Sequence, residues 1–265
     1  MTTLDLRKAA RRDPIAAIDL GAVPAADLDA ARTNWRQRMA SEHASARVFG
    51  DLLGGMMRAG LPSDEIHRVA AMAQQELDHA LLCARVLVAL GVDPVADLPR
   101  LDPTPAHLDA ATPLEAVLRN VISIGCCSET VAVALVATER EQAGPAPVRE
   151  VLHQILRDEI KHARFGWRIL ARHAALLSTK ERDGIDEYLA DVFDHQIAFH
   201  GQFLGMPCAS SDGLAIGAPH GGSSWNVFLT TMSHIVVPGL EQCGFRARNA
   251  WTSARATFAA CRGRG

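Results

Sequence analysis

The chain has 265 residues, 48% of them hydrophobic and 22% charged, with a net charge of −3 and a pI near 6.4. That is enough for one large domain with a buried core, and it gives no electrostatic reason to expect nucleic acid or an anionic membrane as partner. No apolar run of about 18 residues marks a membrane span. The N-terminus is charged where a signal peptide would be apolar. Six cysteines without a C-x-x-C pair suggest neither a disulfide nor a zinc framework, so a reduced, cytoplasmic protein is expected.

In chain order, residues 1–24 read as a basic, Pro-punctuated extension lying over the surface or partly disordered. From 25 to about 60 a helical period takes over, with Trp35, Met39, Glu42, Ala46, Phe49, Leu53 and Met56 on one stripe. Gly60-Leu61-Pro62 stops it, and Ser63 is expected to cap a second helix running to about 90. Its stripe is Val69, Met72, Glu76, His79, Cys83, Val86 and Leu90. Residues 92–111 form a long crossover. Thr112 and Glu115 predict a capping box for a third helix reaching about 143, with Leu118, Ile122, Gly125, Glu129, Val133 and Val136 on one face. After a tight turn at Gly144-Pro145-Ala146-Pro147, a fourth helix to about 177 turns Leu152, Ile155, Glu159, His162, Gly166, Ile169 and His173 inward. A second capping box, Ser178 to Glu181, opens a fifth helix to about 204. The 205–224 loop lacks the G-K-[ST] of a phosphate loop and reads as a lid or surface excursion. Shorter helices follow over 225–236 and 240–260, broken at Pro238.

In both hairpins, carboxylates and imidazoles interrupt apolar faces. Glu76/His79 and Glu159/His162 are each three apart, so both side chains of a pair leave one helix face and can reach one metal ion. Such a pair is weak evidence alone, since the chain contains a third, Glu150/His153. Depth separates them. Glu42 lies about 18 residues before its helix ends and Glu76 about 13 after the next begins; Glu129 and Glu159 repeat this at about 14 and 13, so all four meet near mid-bundle. Glu150 and His153 lie about 13 Å nearer the start of the fourth helix, on the opposite face, and are rejected as ligands. Two divalent cations cancel four buried carboxylates. Mixed oxygen and nitrogen donors with open positions suit iron, or iron with manganese, rather than structural zinc.

The order Glu42, Glu76-x-x-His79, Glu129, Asp158-Glu159-x-x-His162 resembles the signature of ferritin-like non-haem di-iron proteins, over roughly residues 25–178. The resemblance implies an all-α, ferritin-like four-helix bundle, with residues 179–265 packing on it as part of the same domain. It implies two iron ions held by Glu42, Glu76, His79, Glu129, Glu159 and His162, each ion taking one Glu–His pair and one terminal Glu, with Glu76 and Glu159 bridging. No catalytic residue beyond those ligands is singled out. Within the family, the chain lacks a rubredoxin C-x-x-C module. Its only tyrosine, Tyr188, lies beyond the bundle, and Cys83 follows His79 by one turn, unlike radical-storing reductase subunits. Ile155 stands where arylamine N-oxygenases carry an extra histidine. Ligand spacing is nearest to those enzymes and to aldehyde-deformylating oxygenases. The implied activity is O2-dependent oxidation of a small organic substrate in a biosynthetic setting, with electrons from a separate donor or reductase or from the substrate itself. The alternative is a ferroxidase or iron-storage protein. Assembly is left open, a homodimer included.

Two further expectations concern the surroundings. Asp158 should reach across to His79, and Gln75, its mirror position, to His162, as outer carboxylates and amides orient metal-binding imidazoles. Helices one and three give one ligand each, so small residues near Glu42 and Glu129 should line a substrate and O2 cavity: Ser45, Ala46, Cys83, Gly125, Cys126 and Val133.

Overall fold

The computed structural model describes residues 2–98, 103–206 and 208–262; residues 99–102 of the crossover, residue 207 of the later loop and residues 263–265 lie outside it. Four long helical rods make the bundle: α2 (Ala25–Arg58), α3 (Ser63–Ala89), a third rod built from α4 (Pro113–Val121), a π-helical stretch (Ile122–Ser128) and α5 (Glu129–Gln142), and α6 (Ala146–Ala174). A short α1 (Arg7–Ala10) precedes them. The fold is an all-α, ferritin-like helical bundle.

Chain punctuation follows the sequence, with differences. Gly60, at φ +68, turns the chain out of α2. Pro62, not Ser63, occupies the cap of α3, and no side chain caps that end. The Pro62 carbonyl instead accepts from the N–H groups of Glu65 and Ile66, at 3.0 and 3.1 Å. At α4 the Thr112 hydroxyl accepts from Glu115 N–H. The Glu115 carboxylate, however, accepts from Ala111 N–H and pairs with Arg119 at 2.6 Å, so the expected box is only half formed. The box of Ser178 and Glu181 at α7 (Thr179–Gly201) is complete. The third rod is long and apolar enough to cross a membrane by length and composition alone, but half of that window is buried in the protein and it carries Glu129.

The N-terminal extension lies over the surface, the first of the two alternatives, and part of it has regular structure. Thr3–Asp5 forms a strand, β1, antiparallel to Val95–Asp97, β2, with Leu4 opposite Ala96. Backbone hydrogen bonding fixes the pair and Leu4 is buried. Arg7–Asp93 and Arg11–Asp93 ion pairs tie the extension to the start of the crossover. The 205–224 segment contains α8 (Ser211–Ala215) and clasps the start of α2. Trp35 Nε1 donates to the Ile216 carbonyl at 2.8 Å and Asn34 Nδ2 to that of Gly217 at 2.9 Å. Gly217 has φ +92, and a Cβ there would lie 2.4 Å from Trp35 Nε1, so only glycine fits. The described part of the segment straps the start of α2.

The C-terminal helices are α9 (Gly222–Thr231), a second π-helical stretch (Met232–Val236), α10 (Val237–Gln242) and α11 (Ala247–Arg262). Pro238 does not break the chain. It sits in the first turn of α10, directly after the π-type turns, where its missing N–H leaves no gap. The break falls at Gly244, with φ +90. One apolar cluster runs from Phe49 and Leu118 of the bundle through Ile185, Leu189 and Phe193 of α7 to Phe228 and Trp251.

His200 of α7 is buried and stacks on Phe228, ring centroids 4.4 Å apart. Burial, reinforced by His195, lowers its pKa from 6.5 to about 4. The unfolded chain takes this proton near pH 6.5 and the folded chain only near 4. Its contribution is therefore complete above pH 6.5 and is lost as pH falls through that window. The loss amounts to about 3 kcal/mol by pH 4. Thermal melts of His200→Phe across that range should lack this part of the acid limb; a limb identical to wild type would refute the assignment.

Candidate metal centre

Four rods each bring part of one cluster to mid-bundle. α2 supplies Glu42, α3 supplies Glu76 and His79, α5 begins with Glu129, and α6 supplies Glu159 and His162. α3 and α6 run antiparallel, which sets the register: Glu65 meets His173, Gln75 meets His162 and His79 meets Asp158. Ligand-type atoms of Glu42, Glu76, His79 and Glu159 lie within 4.8 Å of one another, and so do those of Glu76, Glu129, Glu159 and His162. Glu76 and Glu159 belong to both groups. His162 Nδ1 is 3.1 Å from Glu76, 3.4 Å from Glu129 and 3.6 Å from Glu159. His79 Nδ1 is 3.3 Å from Glu159 and 3.8 Å from Glu42.

Five of the six side chains are buried, and Glu42 is half-buried. Phe49 meets the His162 ring edge-on at 5.4 Å. Glu76 Oε1, Glu129 Oε2, His162 Nδ1 and both nitrogens of His79 are buried without a hydrogen-bond partner. Orphans of this kind normally carry a cost of kilocalories each; all of them except His79 Nε2, which faces Asp158, converge on one point, and that asks for a shared partner. Burial raises Glu76 to about 8, with help from the charges of Glu42 and Glu159. Burial and repulsion by Glu159 push Glu129 well above the ordinary carboxylate range. Burial opposes protonation of the imidazoles, yet the surrounding carboxylates win and raise His79 to about 10 and His162 to about 12. Glu159 is the exception: burial would raise it, but Glu129, His162 and His79 together hold it below the usual range. The cluster is short of positive charge and satisfies itself with protons; a divalent cation would displace them. These residues could hold a metal ion.

Outside the cluster, the two imidazoles have different supports. His162 Nε2 is 3.0 Å from Gln75 Oε1, a neutral acceptor. His79 Nε2 is 3.6 Å from Asp158 Oδ2, while the other Asp158 oxygen accepts from Lys161 at 2.6 Å. Burial raises the Asp158 pKa, but the Lys161 hydrogen bond and the nearby cations bring it below its ordinary value, so the group is a carboxylate. Removing it should weaken metal binding about 10- to 100-fold, the usual effect of deleting such a partner. Iron titration of Asp158→Ala checks this; wild-type affinity would leave Asp158 with no part in holding His79.

Not every residue named from the sequence lies where a cavity would be. A Cβ on Gly125 would lie 2.7 Å from Gly166 Cα, and one on Gly166 would lie 2.6 Å from Gly125 Cα. Gly125 therefore serves close packing of the third rod on α6, not a cavity, and this corrects the expectation. Cys126 is fully buried in the apolar core beside it. Cys83 is also fully buried, among the charges of Glu42, Arg38 and Glu139. Ser45, Ala46 and Val133 are half-buried. Glu150 is exposed and His153 faces Arg140 at 3.4 Å, away from the cluster. Sequence reasoning missed the π-helical stretch that delivers Glu129. Wider turns of this kind recur at functional sites, and glycine inside a long helix was its only outward signal.

The molecule is thus a ferritin-like bundle with a carboxylate–histidine cluster at its centre. Among solved structures it is similar to "Protein 19 with aldehyde deformylating oxidase activity from Synechococcus", with a TM-score of 0.59 and 21% identity, over 88% of this chain and 97% of that one. No protein-family model matches the sequence, and no curated protein does.

Proposed function

We propose that the chain is a non-haem di-iron oxygenase or oxidase that uses O2 to oxidise a small organic molecule. The observation that carries this reading is the pair of overlapping four-residue groups sharing Glu76 and Glu159. Glu42 and His79 complete one group, and Glu129 and His162 the other. Four carboxylates match the charge of two divalent ions, and the neutral imidazoles add none. The activity named for the similar Synechococcus protein supports the same class of chemistry.

When bound, two iron ions would supply O2 activation, and a separate donor would supply electrons. The chain's own residues hold and orient. Gln75 holds the far nitrogen of His162 by a hydrogen bond and the Asp158 carboxylate faces that of His79 at 3.6 Å, while Nδ1 of each ring turns to the centre. Phe49 on one side and the buried helix faces around it keep water from the cluster. We place the approach of the substrate beside Ser45, Ala46 and Val133, small or half-buried residues near Glu42 and Glu129.

Anaerobic reconstitution with ferrous iron, followed by metal analysis and sizing, tests the reading. Two irons per chain in a small assembly is the expected result. One zinc per chain would reject the di-iron centre, and a closed multi-subunit cage filling with iron would point to storage.

A further inference from the structure

α6 carries a second pattern, on the face opposite its metal-binding side chains. Arg157, Lys161, Arg164, Arg168 and Arg172 succeed one another at steps of four, three, four and four, which places them on one face of the helix. All five are exposed, with Arg157, Lys161 and Arg172 each more than half exposed. The stripe is about 22 Å long at the rise of an α-helix. No acidic residue lies on that face between Val151 and Ala175. The only acids in the span are Asp158 and Glu159, and both are buried. Arg157 and Lys161 share Asp158, and Arg172 shares Glu65 with His173. Arg164 and Arg168 have no ion-pair or hydrogen-bond partner among the described residues. A chain of net charge −3 thus concentrates five cations on one helix face.

That face also stands over the centre. Exposed Lys161 binds Asp158 at 2.6 Å, and Asp158 lies 3.6 Å from His79 Nε2. Two contacts therefore connect the surface to an imidazole of the cluster. A positive face of this size steers and holds a partner of opposite charge.

We propose that the α6 stripe is the docking surface for a small acidic protein that carries single electrons, and that Asp158 and His79 form the route inward. The proposal rests on the di-iron oxygenase reading. In each encounter the carrier loses one electron and one ferric ion gains it, becoming ferrous; two encounters reset both ions. Docking here brings the carrier's redox group over the two contacts that lead from Lys161 through Asp158 to His79.

The test uses the iron-reconstituted full chain and a plant-type [2Fe–2S] ferredoxin as probe, with binding measured by calorimetry at several salt concentrations. Arg164→Glu/Arg168→Glu reverses the two cations that hold nothing else in place, and Arg164→Gln/Arg168→Gln provides a milder pair. Wild-type binding should weaken steeply with salt, the reversal should weaken it about 10-fold or more, and the neutral pair should fall between. Iron content and reduction by methyl viologen radical should stay at wild-type values. The same reversal at Lys8 and Arg12, on the N-terminal extension, should leave ferredoxin binding unchanged. Three results would overturn the proposal: unchanged ferredoxin binding in Arg164→Glu/Arg168→Glu, equal weakening by the Lys8/Arg12 reversal, or binding of phosphatidylserine vesicles or duplex DNA in place of ferredoxin. Metal analysis precedes these steps. A chain that takes up no iron ends the oxygenase reading and this proposal with it, whereas two irons per chain with indifferent ferredoxin binding ends the docking proposal alone.

Discussion

Glu129→Ala should lose one of two iron ions and keep the other, His79→Ala should do the same at the opposite position, and the double variant should bind none. The reason is the way the six side chains divide. Glu129 belongs only to the group with His162, and His79 only to the group with Glu42, while Glu76 and Glu159 serve both. Removing an unshared residue leaves three donors on its own side and a complete set on the other. By the same logic Glu76→Ala or Glu159→Ala should release both ions at once, because each supplies an oxygen to both groups. Glu129 is buried and pushed toward its neutral form by burial and by Glu159, so its presence is hard to explain by stability alone. Iron per chain after reconstitution and desalting reads the result. Full occupancy in both single variants would mean that the cluster does not hold metal.

Gly125→Leu should cost about 3 kcal/mol or more and lose iron together with stability. A side chain at this place has nowhere to go, because the obstacle is the backbone of Gly166 rather than a side chain that could swing aside. The third rod would have to move away from α6. Glu129 lies one wide turn further along that rod, and His162 one turn before Gly166 on the partner, so both would shift with it. The melting temperature should fall by roughly 10 °C at this chain length. A variant with wild-type melting temperature and intact iron, but altered turnover, would place Gly125 beside a cavity after all. Gly166→Leu should behave like Gly125→Leu, since the contact is reciprocal.

The four rods were legible because each buries a stripe at helical spacing, and a stripe needs no knowledge of its partner. The convergence of Glu42, Glu76, His79, Glu129, Glu159 and His162 was legible for a related reason. Three-residue spacing fixes the face, and similar distances from the two hairpin turns fix the depth. Even the approach of Asp158 to His79 and of Gln75 to His162 follows from the near two-fold relation of the hairpins. The helix ends were less legible, as at Pro62 and Pro238, because proline can start a helix as readily as it stops one.

By itself, the sequence determined which faces of which helices carry carboxylates, imidazoles and cations, since those are properties of a single helix and its period. Only the tertiary structure decided what lies against each face. It turned Gly125 from a cavity residue into a backbone contact, made residues 3–5 a strand by pairing them with 95–97, and drew the 205–224 loop onto Trp35. It also set the α6 cations above the centre rather than under another helix. Each of these depends on a partner far away in the chain, and local spacing carries no information about which distant segment arrives there.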